Sequence, residues 1–378
     1  GASWERRLSD KTTSKLTLGY AYTLQQYIAD SLSTTDRHAV PYANGKFTTT
    51  KLSGVWSLTH KWNARNNMQA GIVYDQLSFD LMNKDFLPNG TERVYIDRTG
   101  SYGLAQGYAL WKHRFSNHLS GVAGVHGQYL TLNNSVAAEP RASLRYTFGR
   151  QALGLGYGLH HQAQNVYTYY VETAGPNGVM TTNKELGFTR SHHSVLTYDW
   201  NISEHMRLKA EAYYQILGNV PVEQRLTSYS TLNSGYDFGV TDVDSLVNKG
   251  SGRNYGTEVT LERFFDKGYY FLATGSFFSS KYKGSDGVER NTAFNTGYVL
   301  NALAGKEFKV GKKGNVMALN LKVTHVGGRY TTPVDMQQSR LQGKAVYMDD
   351  KAFSQQQSAY FRTDLRVSYR KEYKKSTL

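Results

Sequence analysis

The most informative absence in this chain is that of a long hydrophobic run. No stretch of its 378 residues approaches the about 18 consecutive apolar residues that a membrane-spanning helix needs, so a helical membrane protein is excluded. Cysteine is absent and proline occurs only 6 times. A lack of cysteine fits a protein that crosses an oxidising compartment, but many cytosolic proteins share it, so it excludes little.

The sequence instead shows two-residue alternation along nearly its whole length. Side chains of a β-strand point alternately to its two faces, so an alternating segment has one apolar and one charged face. The charged face recurs in segment after segment with no helix in between, as in a closed transmembrane β-barrel with a polar lumen. Two segments show the pattern best: 206–214 (Met206, Leu208, Ala210, Ala212, Tyr214 against Arg207, Lys209, Glu211, Tyr213) and 361–370 (Phe361, Thr363, Leu365, Val367, Tyr369 against Arg362, Asp364, Arg366, Ser368, Arg370).

Composition is consistent with such a barrel. Only 39% of the residues are hydrophobic, which is expected because half of each barrel strand faces water. The 29 tyrosines suit the headgroup zones of a bilayer, where the ring is half-buried and the hydroxyl stays wet. The net charge of +14 has three possible explanations: binding of nucleic acid, contact with anionic lipopolysaccharide, or a lumen that attracts anions. The basic residues are scattered along alternating strands, which argues against nucleic acid.

The connections between the alternating segments differ in length in a regular way. Fourteen strands are predicted, near 14–24, 50–62, 67–79, 101–115, 118–131, 140–149, 152–163, 192–202, 205–218, 253–265, 268–282, 295–309, 315–327 and 358–371. Short turns are predicted at 64–66, 116–117, 150–151, 203–204, 266–267 and 311–314; long loops at 25–49, 81–100, 164–191, 219–252, 284–294 and 328–357, with 132–139 intermediate. Short turns at one end and long loops at the other are typical of an outer-membrane barrel, and neither an immunoglobulin-like nor a jelly-roll protein keeps that asymmetry.

The alternation also assigns side chains to the lumen. An Arg or Lys on the lipid face near the bilayer midplane costs about 2–4 kcal/mol, so charged side chains belong inside the barrel. The segment 268–282 has aromatic residues on both faces, and its register stays open. The predicted lumen-lining residues are Arg141, Arg145, Arg207, Lys209, Glu211, Glu258, Lys322, Arg362, Asp364 and Arg366.

Catalytic and metal-binding patterns are weak, and we predict no enzyme, cofactor or metal site. Adjacent histidines in a strand point to opposite faces, so neither His160–His161 nor His192–His193 chelates a metal by itself, although His160 and His193 could approach each other. The glycines of 154–158 lie inside a strand with no following helix, which excludes a phosphate-binding loop. Small residues that relieve crowding on a lumen-facing strand explain them better.

The long loops are the predicted place of ligand contacts, because irregular segments on a rigid barrel carry recognition. Their tyrosines could stack on sugar or aromatic ligands, or could equally fold over one another or lie in the headgroup belt. The candidates are Tyr167, Tyr169, Tyr170, Tyr229, Tyr236, Asp242 and Asp244, with Phe238 beside them.

Three segments carry a family resemblance: EPRASLRYTFGRQALGLGYGLHHQAQ (139–164), LKAEAYYQILGNVPVE (208–223) and 246–314, in which NKGSGRNYGTEVTLE enters a strand. They resemble the barrel of TonB-dependent outer-membrane receptors of the Bacteroidota type. The resemblance covers most of the chain and is strongest from 139 to 369. It implies a barrel of about 22 strands around a plug domain, and active uptake driven through the inner-membrane TonB complex.

Residues 1–378 are therefore expected to form one transmembrane β-barrel portion, without the plug and the final strands. Residues 1–6 contain no signal peptide and read as the tail of a strand arriving at a turn at 8–13, while 371–378 begins another turn. Expected partners are the TonB complex through the plug, lipopolysaccharide, a surface lipoprotein lid and a nutrient that is a metal chelate, glycan, peptide or vitamin. The competing hypothesis is a self-contained passive channel or adhesion barrel of about fourteen strands.

Overall fold

The computed structural model describes residues 1–33, 36–87, 90–176, 178–236, 242–311, 314–343 and 345–371. Phe238, the middle of the predicted turn at 311–314 and residues 372–378 lie outside this part of the chain.

Strands dominate the described residues. In chain order they are β1 Ala2–Ser9, β2 Thr12–Leu32, β3 Ala39–Lys61, β4 Asn66–Phe86, β5 Glu92–Arg114, β6 Leu119–Leu130, β7 Ser135–Phe148, β8 Gln151–Gln162, β9 Thr173–Gly175, β10 Gly178–Met180, β11 Thr189–Ser203, β12 Met206–Glu223, β13 Leu246–Asp266, β14 Tyr269–Lys283, β15 Glu289–Asn291, β16 Tyr298–Val310, β17 Asn315–Val326, β18 Tyr330–Thr331, β19 Gln355–Gln356 and β20 Tyr360–Arg370. The helices are short: α1 Val166–Tyr169, α2 Met336–Gln342, and single 3₁₀ turns at Thr231–Asn233 and Asp349–Lys351. None of the helices in the described ranges is long and apolar enough to cross a membrane.

One antiparallel sheet organises the chain. Its order is β1-β2-β3-β4-β5-β6-β7-β8-β11-β12-β13-β14-β16-β17-β20, and the short β15 is added to β14. Each long strand therefore pairs with the next long strand along the chain, as in an up-and-down barrel wall, while β9 with β10 and β18 with β19 form two separate two-stranded sheets. The predicted all-β antiparallel fold is confirmed, and residues 2–9 form the strand β1, which leads into a turn at 10–11 within the predicted turn segment 8–13.

The register of β14, left open by the sequence, follows from its pairing with β13. Val259 lies opposite Gly275 and Glu258 lies opposite Ser276. Directly opposed residues share a face of the sheet, so Phe277 and Phe271 lie on the side of Val259. The hydroxyl of Tyr270, on the other side, donates to Asn320 Oδ1 at 2.8 Å.

The two faces of the sheet are continuous across many strands. A row that is apolar except at Thr257 passes from strand to strand through directly opposed residues, and its large side chains are exposed; Leu155 is 58% and Phe277 is 53% exposed. The row consists of Leu144, Leu155, Leu196, Ala212, Thr257 and Phe277. We call this side the apolar face and the opposite side, which carries Arg145, Glu211 and Glu258, the polar face.

The prediction of long loops at 25–49 and 81–100 is wrong. Strands β2 to β5 have 21 to 23 residues and continue through most of both segments. About 9–11 residues suffice for a tilted strand to cross a bilayer, so these strands extend well beyond it. Strands β7 and β13 likewise begin earlier than predicted, at Ser135 and Leu246.

An exchange of the two faces explains the error. In the outer part of β3 to β5 the apolar face becomes polar, with Thr48, Asp80 and Thr99 in one cross-strand row. The polar face becomes apolar there, and Phe47 and Leu81 oppose each other while 5% and 0% exposed. A pattern search that requires a constant apolar face stops at this exchange, although the backbone pairing continues.

The connections at the two ends of the sheet differ in length over its second half. Two-residue turns at 10–11, 149–150, 204–205 and 267–268 lie at one end, and the connections at 163–188, 224–245, 284–297 and 327–359 lie at the other. At that other end the earlier strands are joined by short connections, at 33–38, 87–91 and 131–134, so the predicted asymmetry is present from β8 onward and not before it. We expect the short turns to face the periplasm.

Cysteine labelling of intact cells checks this orientation. With an impermeant reagent, we expect Leu226→Cys to be labelled, because Leu226 lies in a long connection and is 78% exposed. Lys11→Cys, in the exposed turn between β1 and β2, is expected to stay unlabelled until the cells are broken. Labelling of Lys11→Cys alone on intact cells would reverse the assignment.

Candidate ligand site among the long connections

The charged residues of the polar face compensate one another both between strands and along a strand. Asp199 of β11 accepts from Arg145 of β7 at 2.9 Å and from Arg207 of β12 at 2.5 Å. Lys209 lies 3.0 Å from Glu211, and Arg362 lies 2.7 Å from Asp364. The remaining predicted lumen residues occupy the same face: Glu258 opposite Glu211, Lys322 opposite Asp364, and Arg366 opposite Asn320.

Replacement of Asp199 by alanine is expected to destabilise the barrel by roughly 1–2 kcal/mol, because two arginines lose a charged acceptor while about half of each side chain keeps contact with water. Denaturant unfolding of the detergent-purified receptor measures the change. Asp10→Ala is the matched control, since Asp10 pairs with Arg7 in a turn and is 97% exposed. Equal effects of the two variants would contradict a structural role for Asp199.

Glu139 of β7 is the most buried charged group of the polar face, with 1% of its surface exposed. Its carboxylate lies 2.5 Å from Arg141 Nη2 and 2.8 Å from His126 Nδ1. It also accepts from Gln128 Nε2 at 2.9 Å and from the backbone N–H of His161 at 2.6 Å. A buried carboxylate with this number of donors fixes strands β6, β7 and β8 relative to one another.

The histidine pairs do not build a metal centre. His160 and His193 approach each other on the polar face, with ring centroids 6.5 Å apart. His192 lies on the apolar face, with its Nδ1 2.9 Å from the Tyr157 hydroxyl. Among the described residues, no three His, Cys, Asp or Glu side chains are grouped closely enough to hold a metal ion.

A side chain at two glycines of the 154–158 segment would displace a neighbouring side chain. A Cβ at Gly154 would lie 2.4 Å from Thr197 Oγ1, and one at Gly158 would lie 2.6 Å from His160 Nε2. Both positions lie within β8, as predicted.

The connection at 163–188 folds against the outer part of the wall. Tyr169 in α1 is fully buried, and its hydroxyl accepts from the backbone N–H of Gln164 at 3.0 Å. Tyr170 packs on Phe79, and Tyr167 packs edge-on against Phe47, with ring centroids 4.6 and 6.0 Å apart. These tyrosines therefore hold the connection to β3 and β4, and Tyr169 presents no surface to a ligand.

A buried asparagine links this connection to the next one. The Nδ2 of Asn183 donates to the carbonyls of Thr168 at 3.0 Å and Val243 at 2.9 Å, and its Oδ1 accepts from Leu246 N. Asp244, a predicted ligand residue, accepts from Thr173 Oγ1 at 2.7 Å in the same contact. The connections at 163–188 and 224–245 are thus one packed unit.

The connection at 224–245 is shared with a second unit, in which it packs against the connections at 284–297 and 327–359. Its core is Tyr282, Ala293, Ala352 and Phe353. Asp349 accepts from the Ser228 backbone N–H at 3.1 Å and from its hydroxyl at 2.5 Å, which joins segments 121 positions apart in sequence. Gly284 lies so close to this contact that a Cβ there would be 2.4 Å from the Thr227 carbonyl oxygen.

Two titratable groups of this unit have shifted pKa values. Burial raises the pKa of Tyr282 to about 12, so its phenol stays protonated at physiological pH. Burial acts to raise the pKa of Asp286, but hydrogen bonds from Arg290 and the Val288 backbone outweigh it, and the net pKa is lowered. The Asp286–Arg290 pair is therefore charged at neutral pH.

The second unit forms the walls of an open cavity of about 430 Å³, which we call the loop cavity. This volume lies in the range of about 300–1,000 Å³ that is usual for small-molecule sites. Its walls are aromatic and acidic: Tyr229, Tyr236, Tyr347 and Phe353 with Glu223, Asp242 and Asp349, besides Arg225, Ser228, Ser230, Asn233 and smaller residues. Three predicted ligand residues, Tyr229, Tyr236 and Asp242, therefore meet at one site, whereas Tyr167, Tyr169 and Tyr170 lie in the other unit.

Asn233 is a feature of the loop cavity that sequence reasoning missed. It is 6% exposed, and its Oδ1 accepts from the backbone N–H of Ala293 at 2.9 Å. Within the described residues its Nδ2 has no hydrogen-bond partner. An unpaired buried donor is costly, and this one lies behind the surface of the cavity wall. No sequence motif could have revealed it, since its neighbours come from distant connections.

Comparison with known proteins agrees with this architecture. Residues 1–378 match the family described as TonB dependent receptor-like, beta-barrel, and the chain belongs to that family. It is an integral outer-membrane barrel protein, as predicted, while the Bacteroidota type stays a prediction. The comparison with curated protein sequences found no match.

Solved structures with the same fold include receptors for ferric chelates. The ferric preacinetobactin receptor BauA from Acinetobacter baumannii is 11% identical, with a TM-score of 0.66 over 98% of this chain and 55% of that one. The ferric-catecholate import receptor Fiu from E. coli K12 is 10% identical, with a TM-score of 0.67 over 97% and 56%. The ferric yersiniabactin uptake receptor FyuA from Yersinia pestis is 13% identical, with a TM-score of 0.63 over 95% and 51%. The chain spans about half the length of these receptors.

Proposed function

We propose that this chain forms the wall of a receptor that imports a scarce nutrient across the outer membrane with energy from the TonB complex. The observation that carries the proposal is the loop cavity, which lies among the long connections of a barrel wall that belongs to the TonB-dependent family. A ligand-sized cavity at the long-loop end is suited to capture from outside the cell.

The polar face fits the passage of such a receptor. Positive and negative side chains are paired on this face, so they can contact water, one another or a plug domain without leaving a charge in lipid. We expect Arg141, Arg145, Arg207, Lys209, Glu211 and Glu258 to line the lumen, together with Lys322, Arg362, Asp364 and Arg366.

The proposed partners follow from this assignment. The TonB complex would be reached through a plug domain, and the net charge of +14 favours contact with lipopolysaccharide. A surface lipoprotein lid over the long connections remains a further expectation. The alternative is a passive channel or adhesion barrel.

Two measurements on the intact receptor that carries this chain separate these functions. We expect it to bind the purified periplasmic domain of TonB, and we expect no steady conductance in a planar bilayer bathed in KCl, because a plug closes the lumen. A steady ohmic pore without TonB binding would replace the uptake hypothesis with a passive channel. Neither measurement requires the nutrient to be known.

A further inference from the structure

We propose that the apolar face carries a binding site for an anionic phospholipid of the periplasmic leaflet, with the lipid phosphate at Lys306 and an acyl chain over Ala304. The site lies near the short-turn end of β14, β16 and β17, away from the loop cavity and from the polar face. It depends on the orientation of the barrel and not on the nutrient, so it is independent of the proposed uptake function.

A groove of about 470 Å³ marks this site. Two cross-strand rows of directly opposed residues line it: Phe271, Ala304 and Leu321 form one row, and Tyr269, Lys306 and Leu319 form the other. Phe271 lies on the side of Val259, so both rows belong to the apolar face. In an integral outer-membrane barrel the apolar face is in contact with lipid, and the groove therefore opens toward the bilayer.

Small side chains form the floor of the groove. Ala304 lies between Phe271 and Leu321, whose larger side chains form the two walls. One outward position further from the short turn, Ala302 lies directly opposite Ala273, and all three alanines are exposed. The depression therefore continues toward the middle of the bilayer, which is the direction in which an acyl chain runs from its headgroup.

Lys306 supplies the positive charge at the headgroup end of the groove. Its side chain is exposed, its Nζ lies 5.2 Å from the centroid of the Phe308 ring, and it forms no ion pair within the described part of the chain. A cation without a counter-charge is costly on the lipid face, but a long lysine side chain can reach the interface. A lipid phosphate at that level supplies the missing negative charge.

Tyr269 places Lys306 at the level of the headgroups. It lies directly opposite Lys306 and is 40% exposed, and tyrosine rings concentrate at the membrane interface. Arg263 of β13 packs on the Tyr269 ring, with its Cζ 4.3 Å from the centroid, while its Nη2 lies 3.1 Å from Asp266. The ring is therefore held in place beside Lys306, where its hydroxyl is suited to donate to a phosphate oxygen.

The charge of the neighbouring sequence favours an anionic headgroup over a zwitterionic one. Residues 306–314 contain four lysines and one glutamate. A basic segment at a membrane surface attracts anionic lipids. Because the short turns are expected to face the periplasm, the lipid is assigned to the phospholipid leaflet and not to lipopolysaccharide.

The test measures lipid binding to the intact, delipidated receptor in a mild detergent by native mass spectrometry. We expect dioleoyl phosphatidylglycerol to bind at least about fivefold more tightly than dioleoyl phosphatidylcholine. Equal binding of the two lipids would overturn the proposal. Preferential binding of lipid A, when it is offered together with phosphatidylglycerol, would overturn the assignment to the periplasmic leaflet.

Matched lysine variants connect the preference to this site. Lys306→Gln is expected to reduce the preference for phosphatidylglycerol to less than about twofold, whereas Lys306→Arg keeps the charge and should keep the preference. Lys309→Gln is the control, because Lys309 lies three residues further along the same strand, on the polar face, opposite Val316. Equal losses in Lys306→Gln and Lys309→Gln would show that net charge selects the lipid and that the groove does not.

The acyl chain is located separately. Ala304→Leu fills the floor of the groove and should weaken phosphatidylglycerol binding at least about threefold, whereas Ala212→Leu, on the apolar face of β12, should leave it unchanged. In the unmodified receptor, phosphatidylglycerol with a diazirine in its acyl chain should label β14, β16 or β17. Labelling confined to other strands would contradict the site. Each variant should keep the heat-dependent gel shift of a folded barrel.

Discussion

Replacing Val259 with arginine is expected to destabilise the barrel by about 2–4 kcal/mol, because it puts a charge on the apolar face near the middle of β13. Val259 is 44% exposed and lies opposite Ala210 and Gly275, so no carboxylate is directly opposite it. Urea unfolding of the receptor in lipid vesicles, followed by tryptophan fluorescence, measures the difference in the free energy of unfolding.

Ser276→Arg is the matched control for this variant. Ser276 lies on the neighbouring strand opposite Glu258, on the polar face. The new guanidinium would meet a carboxylate, so stability should change by less than about 1 kcal/mol. If Ser276→Arg were the more damaging of the two, the polar face would be the one in contact with lipid.

Replacing Glu139 with alanine is expected to cost about 3–5 kcal/mol. The carboxylate is 1% exposed, and its loss leaves Arg141, His126, Gln128 and the His161 backbone N–H without their shared acceptor. The same vesicle unfolding measurement applies.

Glu204→Ala provides the comparison, since Glu204 is exposed in the short turn between β11 and β12. Its replacement should change the free energy of unfolding by at most about 0.5 kcal/mol. A Glu139→Ala receptor as stable as Glu204→Ala would mean that the cluster around Glu139 contributes nothing to the wall.

The sequence by itself determined the sheet. Alternation in segments such as 206–214 and 361–370 depends only on the two-residue period of a strand, which any strand must obey. The short turns, the all-β antiparallel order and the resemblance to the receptor family follow from local pattern in the same way. Local pattern also predicted Tyr229, Tyr236 and Asp242 as ligand contacts, because the long loops of a barrel are where ligands are usually recognised.

Only the tertiary structure determined how the outer strand ends and the long connections pack together. In the outer parts of β3 and β4 the polar face carries apolar side chains, because the connection at 163–188 covers Phe47 and Leu81. The sequence of neither strand indicates that another segment covers it. The loop cavity depends on contacts such as Ser228–Asp349, across 121 positions. The buried position of Asn233 in the cavity wall, with its Nδ2 unpaired, is likewise set by packing. Three-dimensional packing determines which distant segments come into contact. The two-residue period of a strand carries no information about those contacts.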